Sequence, residues 1–313
     1  MTTMNPSEER LPDPGLRTIP DHRRLNKKPV SSYIISIVKH VVLIAVAITM
    51  IYPLLWLVWS AFRQNSEIFK NTWLLPLPDF TYLTNFADGF TSYRAVTDYT
   101  YPFANFFLNT LIITVGCVIG NMVTCSMAAY AFARQKFKGR GVMFAVMLLT
   151  VMLPGHVVLI PQYIIWNKLG LVNTFVPLIL PKFLAVDAFY IFLMVQFIRG
   201  IPGELDESAR IDGANHWTIF SRIMLPLMVP ALATTAIFTF IGVWNDFFSQ
   251  LIYLTDPKKW TVAIGVKGFI DSETGSNYGA TFAMSLLSIV PLFLIFLFGQ
   301  KYLVKGIATT GLK

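Results

Sequence analysis

The chain has 313 residues, of which 55% are hydrophobic and 13% charged, a balance that excludes an ordinary soluble globular domain. The charges are clustered, and the apolar runs between them are long enough to cross a bilayer, which takes roughly 20 residues. The net charge of +8 does not require a nucleic-acid partner, because the positive residues gather at the ends of the apolar runs.

The apolar runs predict an all-α integral membrane protein with six transmembrane helices. The first residues are rich in charge and proline and lack a secretory signal, which predicts a disordered cytoplasmic tail. The predicted segments are a tail at 1–32, the first transmembrane helix at 33–62, an extracytoplasmic loop with some short helix at 63–104, a transmembrane domain at 105–300 and a cytoplasmic tail at 301–313. The five further spans are expected within 105–133, 141–163, 176–198, 227–248 and 282–298.

Lysine and arginine are distributed unequally between the two sides of this arrangement. Six spans place both termini on one side, and the segments on that side hold seventeen Lys and Arg residues against seven in the opposite loops. Membrane proteins carry the excess of positive charge in their cytoplasmic loops. The sequence therefore predicts that both termini face the cytoplasm, together with the segment 199–226, called the charged loop below.

The charged loop lies between two long apolar runs, and its first half predicts a short helix that ends at a glycine. Glu204, Asp206 and Glu207 fall in the first turn, where negative charge suits the helix dipole. Asp206 and Glu207 precede Arg210 by four and three residues, so both are expected to pair with it on one face. Gly213 is expected to end the helix in the left-handed conformation.

The second half of the charged loop predicts another short helix. Asn215 is placed to cap it. Trp217, Phe220 and Met224 recur at helical spacing and are expected to share one apolar face. A loop whose apolar face simply lies on lipid is the alternative interpretation of the same pattern.

The spacing of acidic, small and proline residues in the charged loop resembles the Glu-Ala-Ala motif of binding-protein-dependent ABC importer permeases. That pattern is E-A-A, three residues, G, nine residues, I, one residue, L-P, and Ser208 replaces its middle alanine. The run WNDF at 244–247 is similar to a motif of the carbohydrate branch of this family. The matching residues of the loop are Glu207, Ser208, Ala209, Asp212, Gly213, Ala214, Ile223, Leu225, Pro226 and Pro230.

The resemblance implies a type I ABC importer permease fold with cytoplasmic coupling helices, in the maltose-type second permease subunit of a carbohydrate importer. It implies a bacterial inner-membrane location, a non-identical second permease as heterodimer partner, two ATP-binding-cassette ATPases and an extracytoplasmic solute-binding protein. ATP and Mg would be held by the ATPases, and this chain would bind no cofactor. The residues expected to couple the chain to an ATPase are Glu207, Ser208, Ala209, Arg210, Asp212, Gly213, Leu225 and Pro226.

The chain's own residues indicate that it is not an enzyme. It contains no Gly-Lys dipeptide and hence no phosphate-binding loop of the ATPase type. Its four histidines show no metal-ligand spacing, and we expect no metal site. Cys117 and Cys125 would lie about 12 Å apart along one helix, too far for a disulfide.

Polar and ionisable residues in and beside the predicted spans mark a candidate translocation path. Asp187 lies within the fourth span, and Asn245 and Asp246 lie at the end of the fifth, where they are equally suited to capping the helix. Lys182 is expected to have a structural role, with its ammonium reaching the outer interface.

Three alternatives fit part of the pattern. An ion-coupled secondary transporter should show internal repeats and charged relays, and the sequence shows no clear repeat. A permease for a non-sugar solute such as glycerol phosphate would match the family pattern equally well. A channel or an assembly scaffold would not need a water-facing helix–glycine–helix segment.

Overall fold

The computed structural model describes four stretches of the chain, residues 30–70, 79–91, 102–270 and 277–308, and these contain helices and no β-strand. The predicted N-terminal tail lies outside the described residues up to position 29. Parts of the predicted extracytoplasmic loop and the last five residues of the predicted C-terminal tail also lie outside them.

The first helix, α1, covers Val30–Ala61 and contains Pro53. The chain divides into two compact units at this proline, Met1–Pro53 and Leu54–Lys313. In the first unit, the side chains from Tyr33 to Pro53 are exposed along the whole described part of the helix. Most of them are apolar, so this surface suits lipid rather than water.

The second unit contains the remaining helices. The longer ones are α3 (Phe103–Arg134), α4 (Arg140–Thr150), α5 (Gly155–Lys168), α7 (Ala188–Arg199), α8 (Glu204–Ile211), α11 (Val229–Trp244) and α14 (Tyr278–Ala308), with α2 (Thr84–Thr91) in the predicted extracytoplasmic loop. The short ones are α6 (Val176–Ile179), α9 (His216–Thr218), α10 (Leu225–Leu227), α12 (Phe248–Tyr253) and α13 (Val262–Lys267), with 3₁₀ turns at Leu180–Leu184 and Pro257–Lys259 and a π-helical stretch at Ile219–Met224.

Within the described residues, four helical stretches are long and apolar enough to cross a membrane, namely Tyr33–Ala61, Phe103–Arg134, Val176–Arg199 and Tyr278–Tyr302. Two bent pairs pass the same test together. The pair α4 and α5 is bent by 99°, and the pair His216–Leu227 and α11 is bent by 74°. The first bend falls at Pro154, a residue that cannot continue a helix ladder. The described chain thus holds four candidate spans, or six if each bent pair forms one.

Helix α3 lies at the centre of the second unit and packs against α7 and α11. Its inward residues include both cysteines, Cys117 at 1% and Cys125 at 0% exposure. Both are free thiols that pack in the interior of this unit. Cys125 belongs to a hydrophobic cluster that continues through α7 and the charged loop into α11.

A second cluster gathers phenylalanine rings where α13 meets the start of α3. Gly265 of α13 lies directly against the fully buried ring of Phe106. A Cβ atom at this position would overlap that ring and come within 3.1 Å of Cε2 of Phe103. The glycine is therefore required by close packing rather than by backbone conformation.

We expect Gly265→Ala to destabilise the protein by about 1–3 kcal/mol, because the surrounding rings must shift to admit a methyl group. Thermal unfolding in detergent can be followed by a thiol-reactive dye, since the two cysteines of the chain are buried until it unfolds. Gly141→Ala in α4 is the matched control, because a Cβ added at this glycine would meet no atom within 4 Å. Equal unfolding midpoints for the two variants would contradict this packing argument.

Candidate functional site

The charged loop forms two short helical segments joined by a glycine, as the sequence predicts. Helix α8 carries three acidic residues in its first turn. Gly213 has a φ of 83°, in the left-handed region. The N–H of Ala214 donates to the carbonyl of Ala209 at 2.9 Å and closes the end of α8. Beyond the joint, Oδ1 of Asn215 accepts hydrogen bonds from the N–H (2.8 Å) and the hydroxyl (2.9 Å) of Thr218, so it caps the second segment.

The second segment departs from the regular helix that the spacing predicts. After α9, which is three residues long, the chain forms the π-helical stretch Ile219–Met224. The rings of Trp217 and Phe220 lie together as the spacing predicts, with centroids 5.6 Å apart. Phe220 and Met224 are buried, whereas Trp217 is 62% exposed, because the chain enters the core only after this tryptophan.

Two side chains of α8 face inward. Asp206 is 4% and Ala209 is 8% exposed. Ala209 belongs to the hydrophobic cluster that contains Tyr130 of α3, Ile198 of α7 and Met224 of the charged loop. A methyl side chain at this position lets α8 lie close against the ends of the long helices.

Arg134, the last residue of α3, connects three elements. Its Nε lies 3.1 Å from Oδ2 of Asp206, in an ion pair whose side chains are 14% and 6% exposed. Its Nη2 donates to the carbonyls of Ile198 (3.0 Å) and Ile201 (2.5 Å) at the end of α7. A guanidinium holds several donors in one plane, so a single side chain can bind a carboxylate and two carbonyls together. These four residues are called the arginine clamp below.

The predicted pairing of Asp206 and Glu207 with Arg210 is wrong. Among the residues that the structure describes, Arg134–Asp206 and Lys182–Asp187 are the only ion pairs. Asp206 points inward, whereas Arg210 is exposed one turn later. Water and salt weaken a buried ion pair less than an exposed one. Asp206 therefore pairs with the largely buried Arg134 rather than with the exposed Arg210. From the sequence, Arg134 is one of the positive charges that set the topology, and its pairing with Asp206 is not predicted.

The rest of α8 faces outward and combines apolar with charged side chains. Leu205 is 43% and Ile211 is 87% exposed, and Trp217 lies exposed beyond the glycine joint. Glu207 and Arg210 are exposed beside them. These five residues are called the outward face below, and such a mixture is typical of a surface that contacts another protein. Of the other predicted coupling residues, Ser208, Asp212, Gly213 and Pro226 are exposed and Leu225 is half-buried against the core cluster.

A second candidate site is a cavity of about 330 Å³ between α3, α7, α11 and α12. Its polar lining consists mainly of Asn121, Lys182, Asp187, Thr239, Asp246 and Gln250. Within the described residues, no three His, Cys, Asp or Glu side chains are grouped as a metal site would require. The cavity offers hydrogen bonds and fixed charges.

An ion pair forms one wall of the cavity. The ammonium of Lys182 lies 2.8 Å and 3.0 Å from the two carboxylate oxygens of Asp187. The amide nitrogen of Asn121 donates to Oδ2 of Asp187 at 2.7 Å and to the hydroxyl of Thr239 at 3.1 Å. Lys182 is thus engaged by Asp187 instead of extending alone to the membrane interface. The sequence names both charges but does not predict that they pair.

The three residues predicted to line the translocation path have different positions in the structure. Asp187 and Asp246 line the cavity. Asn245 is exposed, and its Nδ2 donates to the carbonyl of Ile241 at 3.0 Å at the end of α11. Oδ1 of Asp246 accepts from the N–H of Ser249 at 3.1 Å and so also caps α12. Asn245 is therefore a helix cap, while Asp246 combines a cap with a place on the cavity wall.

Two asparagines hold the segment after α12 in place, a role that the sequence did not predict. Asn173 has a φ of 62°, and its Oδ1 accepts from the N–H of Asp256 at 3.1 Å. Asn109 donates from its amide nitrogen to the carbonyls of Lys258 and Trp260, both at 2.9 Å. Asparagine is one of the few residues besides glycine that adopt the left-handed conformation, so an asparagine in a loop is a signal for such a backbone position.

Comparison with known proteins gives one family. Residues 120–309 match the family described as "Binding-protein-dependent transport system inner membrane component". The chain is similar to the "Arabinooligosaccharides transport system permease protein AraQ" of Halalkalibacterium halodurans, with 35% identity over 86% of this chain and 93% of that protein. It is also similar to the "Diacetylchitobiose uptake system permease protein NgcG" of Streptomyces coelicolor, with 31% identity over 87% of each chain.

The fold also has a counterpart among solved structures. A crystal structure of a bacterial ABC transporter involved in the import of the acidic polysaccharide alginate contains a chain that superposes with a TM-score of 0.75. The match covers 88% of this chain and 98% of that chain at 24% identity. At this identity the likeness concerns the fold alone.

Replacing the arginine of the clamp should destabilise the charged loop and the helices beneath it. We expect Arg134→Met to cost about 3–5 kcal/mol, because it leaves the buried carboxylate of Asp206 without its partner. The measurement is the thermal unfolding midpoint in detergent, followed by labelling of the two buried cysteines.

Arg210→Met is the matched control for this variant. It removes an exposed arginine of the same loop and should change stability by no more than about 0.5 kcal/mol. The double variant Arg134→Met, Asp206→Leu should recover much of the loss, because no buried charge remains. Similar unfolding midpoints for Arg134→Met and Arg210→Met would refute the clamp.

Proposed function

The chain belongs to the family of binding-protein-dependent transport system inner membrane components, and from this premise we propose that it is a permease subunit of an ATP-driven carbohydrate importer. The family consists of transporter subunits that span the membrane several times, not of enzymes. The observation that carries the proposal is the outward face of the charged loop, held against α3 and α7 by the arginine clamp.

We propose six transmembrane helices with both termini in the cytoplasm of a bacterial cell and the charged loop beside them. In this arrangement each bent pair forms one span, which brings the four long candidates to six. The excess of Lys and Arg on the side of the termini supports the orientation. The segment limits of the sequence prediction, including a permease domain over 105–300, remain part of the proposal.

The outward face is proposed to dock on an ATP-binding-cassette ATPase. Glu207 would make a charge-assisted contact with it, and the exposed side chain of Ile211 would enter an apolar recess. Ala209 lets α8 approach the bundle closely, and Gly213 supplies the bend between the two segments. Ser208, Arg210, Asp212, Leu225 and Pro226 complete the proposed coupling surface. ATP and Mg would be bound by the ATPase, and the docking would transmit its closure as rigid-body motion.

Two further partners are proposed. A second, non-identical permease would complete the translocation path. An extracytoplasmic solute-binding protein would deliver the solute from the side opposite the charged loop, where the segment after α12 is held by Asn109 and Asn173. A firmly held segment suits a docking role, because little conformational entropy is lost when the partner binds.

A carbohydrate is the solute class that the relatives favour. Two of them are named as permeases for arabinooligosaccharides and for diacetylchitobiose. Glycerol phosphate or another non-sugar solute is the competing class. An ion-coupled secondary transporter is disfavoured, because family membership and the loop motif both indicate a subunit driven by a separate ATPase.

Ile211→Glu is expected to abolish co-purification of the ATPase and to reduce uptake at least tenfold, because it places a charge in the centre of the proposed apolar contact. The side chain is 87% exposed, so the fold should be unaffected. Ile211→Val keeps most of the apolar surface and is the control. Full ATPase recovery and full uptake with Ile211→Glu would exclude this docking role.

The solute class can be tested with the complete importer in proteoliposomes. We expect ATP-dependent accumulation of at least one of the neutral disaccharides arabinobiose, diacetylchitobiose and maltose, with no accumulation of glycerol phosphate. The binding protein should be required, and a pH gradient without ATP should not support uptake. Accumulation of glycerol phosphate alone, or uptake driven by the gradient, would replace the carbohydrate proposal with one of its alternatives.

A further inference from the structure

We infer that the cavity between α3, α7, α11 and α12 binds an uncharged, hydroxyl-rich segment of the solute and disfavours anionic solutes. This inference rests on the proposed function and narrows it, since it names the kind of carbohydrate that passes. It assigns Lys182, Asp187 and Asp246 a shared role in selecting the solute.

The charges of the cavity wall do not balance. Lys182 is paired with Asp187, and this pair is neutral as a whole. Asp246 lines the same cavity and has no ion-pair partner within the residues that the structure describes. The lining therefore carries one net negative charge. An entering carboxylate or phosphate meets repulsion from this charge.

The polar groups of the wall suit hydroxyl groups. Each carboxylate can accept several hydrogen bonds, and the ammonium of Lys182 has a third proton beyond the two that point to Asp187. Hydroxyl groups both donate and accept, so they can satisfy both kinds of wall group at once. An acidic solute lacks donors at its charged end and would leave Asp246 without a favourable partner.

The wall is held in place before any solute enters. Asn121 is fully buried and fixes Asp187 from α3, while it also bonds to Thr239 of α11. Gln250 is 1% exposed, and its amide groups are bound by the carbonyl of Val243 and the hydroxyl of Thr261. Wall groups that are already oriented lose little entropy on binding, which is the usual property of a built site.

The size and position of the cavity agree with passage of a solute segment. Its volume of about 330 Å³ lies at the small end of the range of roughly 300–1,000 Å³ for small-molecule sites. Helix α7 has 12 residues and is about 18 Å long, so Asp187 would lie beyond the middle of a hydrocarbon core of about 30 Å if α7 stands upright with Arg199 at the core's edge beside the charged loop. In that arrangement the cavity is on the half from which a binding protein would deliver its load.

The test compares each neutral disaccharide with its own aldonate, which carries one carboxylate after oxidation of the reducing end. The complete importer, with its binding protein, is reconstituted in proteoliposomes with wild-type, Asp246→Asn or Asp246→Lys permease. Uptake of the matching aldonate is divided by uptake of arabinobiose, diacetylchitobiose or maltose. The binding protein is the same throughout, so its own preference cancels when this ratio is compared between variants.

We expect the aldonate-to-neutral ratio to rise in both variants, and by at least about tenfold for Asp246→Lys, which corresponds to about 1.4 kcal/mol. Asp246→Asn retains a side-chain oxygen that can cap α12, so it decides the question if the lysine variant does not assemble. Glu67→Lys is the control, because it makes the same charge change at an exposed position outside the cavity and should leave the ratio unchanged.

Two results would overturn the inference while leaving the importer proposal intact. The first is an unchanged ratio in both Asp246 variants, with neutral uptake preserved. The second is a complete loss of neutral uptake in an assembled Asp246→Asn importer, because an amide should still bind hydroxyl groups. Failure of the wild-type importer to take up any of the three neutral sugars would instead remove the carbohydrate proposal itself.

Discussion

One guanidinium, that of Arg134, holds the charged loop against the ends of α3 and α7. Helices of eight and three residues, such as α8 and α9, have no stability of their own in water. They stay in place because Arg134 binds Asp206 and the carbonyls at the end of α7, and because Ala209 and Met224 are buried beside it. The outward face is thus attached to the transmembrane helices through a shielded ion pair. Force applied to it would reach α3 and α7 together.

Helix α7 places two different chemistries at its two ends. Its N-terminal end follows Asp187, whose carboxylate is held in the cavity wall by Lys182 and Asn121. At its other end the carbonyl of Ile198 is held by the arginine clamp. An unbroken helix does not change its length readily, so a shift at one end is carried to the other. The polar cavity and the charged loop thus lie at opposite ends of one rigid helix, α7.

Patterns of neighbouring residues predicted the glycine joint of the charged loop, but they did not predict which residues the side chains of the loop contact. Gly213 and Asn215 are determined by neighbours within four residues, and the left-handed glycine and the helix cap both occur as expected. Asp206 pairs with Arg134, which is far away in the chain, so the nearby Arg210 was the wrong choice. The distinction between Asn245 and Asp246 depends in the same way on how α11 and α12 pack. Composition located the apolar helices, and Pro154, Pro226 and Pro230 lie at or beside the bends within two pairs of them, but the sequence could not give the angles of those bends.

The continuous path from cavity to clamp through α7 has a thermodynamic consequence. Suppose an ATPase binds one arrangement of the charged loop more tightly than another, and that the two arrangements differ at Asp187. Linkage then requires that a solute which prefers the same arrangement strengthens ATPase binding by the same factor. A solute with equal affinity for both arrangements would shift neither, however tightly it bound. In that case, a solute bound in the cavity lined by Asn121 and Asp187 would change the affinity of the charged loop for the ATPase on the opposite side of the membrane.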